Sequence, residues 1–140
     1  MENLPQQGAT QIVEPAPSSG MVTLTHVLYG LHGFSAVMGM LAPGFIVTAF
    51  LTGWPSLIAV VINYVKRSDT RGTYLDSHFS WQLRTFWWTL LWVIIAFLLI
   101  ITVIGILIAW PMVLLIGVWV LYRLLRGWIA LAQGRAMPMD

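Results

Sequence analysis

The chain has 140 residues, of which 59% are hydrophobic and 9% charged, with a mean hydropathy of +0.82. Soluble domains average about 25% charged residues, so this balance excludes a water-soluble globular domain and points to a polytopic membrane protein. There is no cysteine, which removes disulfides and thiolate chemistry, and the seven basic residues behind the net charge of +2 flank apolar segments, as topology signals do and a nucleic-acid surface does not.

Residues 1–20 hold Pro5, Pro15 and Pro17 among Gln, Ser, Gly and Ala without apolar periodicity, and read as a disordered cytoplasmic tail. Only Glu2 and Glu14 carry charge ahead of Met21, whereas a secretory signal needs basic residues there, so none is expected. From Met21 to Val65 no side chain is charged. As one straight helix this run would reach about 68 Å, more than twice the roughly 30 Å of a bilayer's hydrocarbon core. Two crossings are therefore expected, over 23–51 and 55–68, with the corner at Thr52-Gly53-Trp54-Pro55. Gly30, Gly33 and Gly39 are expected to let a neighbouring helix approach the first span closely, and Asn63 to hydrogen-bond across to another helix.

The segment 72–85 places Leu75, Phe79, Leu83 and Phe86 at helical spacing, with Asp76, Ser77, Ser80 and Arg84 on the opposite side. It predicts a short interfacial helix that leads into the third span. Residues 85–122 are again uncharged, too long for one crossing at about 57 Å, and punctuated by Gly105, Ala109, Trp110 and Pro111. Spans over 86–108 and 111–131 follow. Trp110-Pro111 repeats Trp54-Pro55, and Arg123 and Arg67 follow their tryptophans at the same interval. Double crossing by both uncharged runs places every charged residue on one side, which the positive-inside rule makes cytoplasmic. The expected fold is all-α: a four-helix transmembrane domain over 21–138, built as two hairpins joined by a short interfacial helix, with both termini cytoplasmic.

Few side chains carry chemistry. His32 is a weak cofactor-ligand candidate, because haem held by two histidines would need a second deep histidine and the other spans have none; no cofactor or metal is expected. Lys66, Arg67, Arg71, Asp76, His78, Gln82, Arg84, Arg123 and Arg126 form a possible contact surface for a partner or for lipid headgroups. No serine, histidine and carboxylate converge within the spans, and no phosphate-binding loop is present, so an enzyme is not expected.

His78 and Gln82 before the third span, and Arg126-Gly127-Trp128-Ile129-Ala130-Leu131 with Gly134, Met137 and Pro138 at the end, carry a resemblance. Over roughly residues 22 to 138 the chain resembles a bacterial family of small membrane proteins of unknown function, distantly related to the twenty-kilodalton subunit of the chloroplast inner-envelope import translocon. It departs from that pattern where an acidic residue and an Asn-Phe pair usually stand: Ser77 precedes His78, and Ser80-Trp81 follow Phe79. The resemblance implies a multi-pass four-helix protein of the bacterial inner membrane and brings no established catalytic residues. The expected role is a non-enzymatic structural or accessory subunit that packs against other membrane proteins or against itself in the lipid bilayer. The alternative is a small transport or protein-translocation component.

Overall fold

A computed structural model of the chain describes residues 14–41, 46–102 and 105–139, with the side chains of 46–52 outside the description. The tail expected over 1–20 lies outside the described residues as far as residue 13; residues 14–18 have no regular structure. Five helices follow among the described residues: α1 (Ser19–Leu41), α2 (Ile46–Val65), the single turn α3 (Arg67–Thr70), α4 (Leu75–Ile100) and α5 (Gly105–Ala132). No strand occurs among the described residues. Three helices, α1, α4 and α5, are long and apolar enough to cross a membrane.

The helix boundaries correct the expected corners. Pro55 and Pro111 both lie inside helices, in α2 and α5, so neither Trp-Pro pair marks an end. Proline is tolerated within a membrane helix when neighbouring groups satisfy the backbone it disturbs. Beside Pro55 that service comes from α1, where the Ser35 hydroxyl accepts the Ser56 N–H at 3.0 Å. The segment 72–85 does lead directly into the apolar stretch, as expected: from Leu75 it forms the first turns of α4, which continues unbroken.

Between α4 and α5 the Thr102 hydroxyl and N–H both donate to the Leu99 carbonyl, at 2.8 and 3.0 Å, and the Gly105 N–H donates to the Thr102 carbonyl at 3.0 Å. A Cβ on Gly105 would collide with the Leu99 carbonyl, so the tight passage requires glycine there.

Helix α1 packs against α2 and α5, and α4 packs along α5, while α2 and α4 touch more lightly. The close approach of α1 to α5 is made by glycines of α5. Gly127 faces the Tyr29 ring, and Gly117 faces Met40. On α1, Gly30 meets only the edge of Trp128 at 3.9 Å, and Gly33 and Gly39 meet nothing within 4 Å. Among the described residues, the small residues that admit a neighbour at the α1–α5 contact are thus on α5.

The burial pattern is inverted relative to a soluble protein. Thr25, His32, Asn63, Thr70, Ser77, His78, Gln82 and Thr85 are buried, whereas Leu107, Leu115 and Ile101 are about 70–80% exposed. In lipid this arrangement satisfies both groups: polar atoms need protein partners, and apolar side chains do not need protein cover.

Candidate functional site

The start of α1, the end of α2, the start of α4 and the end of α5 meet at one end of the bundle, and most of the buried polar groups gather there. The approach to α4 sets this up. Gly72, at φ 76°, turns the chain after α3, and the Thr73 hydroxyl accepts the Leu75 N–H at 3.3 Å, capping the first turn. Asp76 in that turn complements the positive end of the helix dipole.

His78, one turn on, has no exposed surface. Its Nε2 lies 2.7 Å from the Arg135 carbonyl and its Nδ1 2.9 Å from the Tyr29 hydroxyl. A carbonyl only accepts, so Nε2 carries the hydrogen and the Nδ1 lone pair receives the Tyr29 O–H. Tyr29 and Tyr74 both pack edge-on against the imidazole. One turn deeper, Asn63 Nδ2 donates to Gln82 Oε1 at 2.9 Å, and the Gln82 side chain lies beside Tyr29. Asn63, Gln82, Tyr29, His78 and the Arg135 backbone thus form one line linking α2, α4, α1 and the C-terminal segment.

That segment is held by its own local signals. The Arg135 N–H donates to the Ala130 carbonyl and the Gly134 N–H to the Leu131 carbonyl, both at 2.9 Å, with Gly134 at φ 65°. This is the paired bonding of a Schellman ending, and it turns the chain back over the start of α4. There the Ser77 hydroxyl accepts the Met137 N–H at 2.8 Å, Arg84 donates to the Pro138 carbonyl at 2.7 Å, and Met137 is buried against Trp81 and Ala130.

Trp81 is the centre of a second cluster. Its indole N–H donates to the Arg123 carbonyl at 3.1 Å. The Arg123 guanidinium lies 3.7 Å from the Trp81 ring centroid, with those of Arg126 and Arg84 at 5.8 and 5.9 Å. Arg123 Nε donates to the Thr85 hydroxyl at 2.9 Å. A cleft of about 370 Å³ opens beside this cluster, lined by Trp81, Arg84, Trp88, Arg123, Arg126 and Pro138. A neighbouring cleft of about 360 Å³ shares Arg84 and adds Arg67, Tyr64 and Trp87.

The sequence-derived contact surface therefore divides. Arg84, Arg123 and Arg126 are brought together; Lys66, Arg67 and Arg71 are exposed around α3, where Arg67 reaches the Ser80 hydroxyl at 3.4 Å. Lys66 pairs with Asp69 at 3.1 Å and holds its carboxyl below the usual range. Asp76 is partly exposed. His78 and Gln82 lie inside the bundle and tie helices together, out of reach of lipid or a partner. Asn63 makes the cross-helix bond expected of it. His32 stands apart, its Nδ1 2.6 Å from the Ser56 hydroxyl and its Nε2 buried without a partner; no group of three metal-ligating side chains occurs among the described residues. Two members escaped sequence reasoning, Tyr29 and Trp81, because each reads as one more aromatic in an aromatic-rich chain.

Comparison with protein-family models, curated proteins and solved structures gave no match.

Proposed function

We propose that the chain crosses the membrane four times as two hairpins, with α2 as the fourth crossing, and acts as a non-enzymatic accessory subunit that packs against other membrane proteins or a second copy of itself. At 20 residues α2 spans about 30 Å, which suits a hydrocarbon core. The gathering of charged side chains at one end of the bundle supports placing both termini on the same, cytoplasmic face. The bacterial inner membrane, and kinship with the family of small membrane proteins named above, belong to the same proposal and rest on the sequence resemblance.

One observation carries the packing role: no described residue fills the space where a side chain would stand at Gly33 and Gly39 on α1 and Gly53 on α2. In lipid such positions let a second backbone come close, which is how helices associate without a hydrophobic drive. The absence of cysteine makes the test clean. Gly33→Cys or Gly39→Cys, oxidised in native membranes, is expected to give a disulfide-linked dimer or, with a bifunctional thiol reagent, an adduct to a partner. Monomer alone at every protein density would refute the packing role.

The topology is tested separately. Cysteines at Ser68 and Gln133 are expected to react with an impermeant thiol reagent from one face of sealed vesicles, and a cysteine at Thr102 from the other. Labelling of Ser68→Cys and Gln133→Cys from opposite faces would rule out the four-crossing layout.

A transport or translocation role is favoured by a different observation. His32 Nε2, Asn63 Oδ1 and Gln82 Nε2 are buried in the bundle and lack hydrogen-bond partners among the described residues, an arrangement that costs stability unless something polar passes by or binds. Solute flux into liposomes that disappears with His32→Ala or Asn63→Ala would support this reading, and its persistence would remove both residues from it.

A further inference from the structure

Among the described residues, no carboxylate lines the basic cleft at the charged end. Three arginines from two helices converge on one tryptophan, and among the described residues the only ion pair is the distant Lys66–Asp69. Arg84 and Arg126 are near enough for their charges to oppose that of Arg123. Like charges at this distance repel, and the fold holds two of them in place through neutral acceptors: Thr85 for Arg123 and the Pro138 carbonyl for Arg84. Arg84 Nε is buried without a partner, and Arg126 donates to no protein acceptor among the described residues. Pre-positioned guanidinium groups with unused donors form the fork geometry that recognises phosphate.

The surroundings distinguish a lipid phosphate from a free one. Trp88 forms part of the cleft wall and is half exposed; Trp92, one turn further along α4, and Trp119, whose ring lies 5.1 Å from the Arg123 guanidinium, continue an apolar aromatic surface away from the charged end. A headgroup in the cleft would leave its acyl chains along these rings, at the depth where tryptophan settles in bilayers.

We propose that this cleft binds the phosphate of an anionic phospholipid, with Arg84, Arg123 and Arg126 as its cationic wall and Trp81 as its base. The site rests on the reading that the charged end lies at the membrane surface, but binding is measured on the full chain in detergent micelles, so its outcome is independent of the number of crossings. Arg126→Gln is the variant of choice, since Arg126 is exposed and carries no structural hydrogen bond.

Native mass spectrometry with titrated lipid is expected to show retention of phosphatidylglycerol over phosphatidylcholine. Arg126→Gln should weaken that retention about tenfold, one charge-assisted contact, while Arg71→Gln outside the cleft leaves it unchanged. Equal retention of the two lipids, or equal loss in both variants, would overturn the site. Displacement by millimolar inorganic phosphate as effectively as by lipid would show an anion site without lipid character and overturn the assignment to phospholipid. Headgroup preference that emerges only in Asp140→Asn would show that the cleft serves the chain's own carboxylate, which also overturns it.

Discussion

Replacing His78 by alanine is expected to lower stability by about 3 kcal/mol, among the largest effects of any single side chain. The imidazole is fully buried and holds Tyr29 on one side and the Arg135 carbonyl on the other. Hydrogen bonds between membrane helices contribute about 0.6 kcal/mol on average and up to about 1.7, so two lost bonds supply part of the effect. The rest comes from the cavity left by the ring and from a buried tyrosine hydroxyl with no acceptor. Tyr29→Phe removes only the hydroxyl and should cost about 1 kcal/mol. Reversible unfolding in mixed micelles measures both. A loss below 1 kcal/mol for His78→Ala would mean that the ring is not a structural tie. Because His78 also anchors the C-terminal segment, limited proteolysis should release residues after Gly134 faster in the alanine variant than in Tyr29→Phe.

The coarse architecture was readable because charge is costly in lipid: its absence over 21–65 and 85–122 marks apolar runs, and α1, α4 and α5, long and apolar enough to cross a membrane, lie mostly within them. Helix ends were not readable from the same signal. Trp-Pro looked like a corner because proline opens helices in water, yet within lipid the disturbed backbone finds a partner, as Ser56 finds Ser35. A better signal was Gly105, which stands at the start of α5 and where a side chain would collide with the Leu99 carbonyl. The continuity of the amphipathic 72–85 segment with the apolar stretch was readable: with no glycine or proline between Leu75 and Ile100, nothing stops the helix.

For the site, the residue types were visible and their partners were not. Arg84 and Arg123 read as the two borders of one uncharged run, and only the side-by-side packing of α4 and α5 brings those borders together over Trp81. His78 and Gln82 read as surface groups because they are polar and lie in a mixed stretch between Arg71 and Arg84. Their burial depends on α1 and on the tail that folds back from Gly134, contacts between elements far apart in the chain.

The contrast between Gly127 and Gly117 tests the α1–α5 contact itself. A Cβ at Gly117 would meet Cγ and Sδ of Met40, an unbranched side chain that can move aside by changing rotamer. Alanine there also gains about 1 kcal/mol of helix propensity over glycine, so Gly117→Ala is expected to be neutral or slightly stabilising. A Cβ at Gly127 meets the Tyr29 hydroxyl and, at 2.8 Å, its ring. Tyr29 has nowhere to go: its hydroxyl is tied to His78, and its ring stacks on Trp128 at 6.4 Å with an interplanar angle of 13°. Overpacking against a fixed aromatic costs roughly 1–3 kcal/mol, so Gly127→Ala is expected to fall near 2 kcal/mol despite the same propensity gain. The hydroxyl is the nearest obstacle, which makes the interaction separable. In the double variant Gly127→Ala with Tyr29→Phe, the two losses should sum to about 1 kcal/mol less than their separate values, since the phenylalanine ring makes room for the methyl group. Equal tolerance of alanine at Gly117 and Gly127 in the same unfolding assay would show that α1 does not approach α5 through Tyr29, and with it the line from Asn63 to Arg135 would lose its middle member.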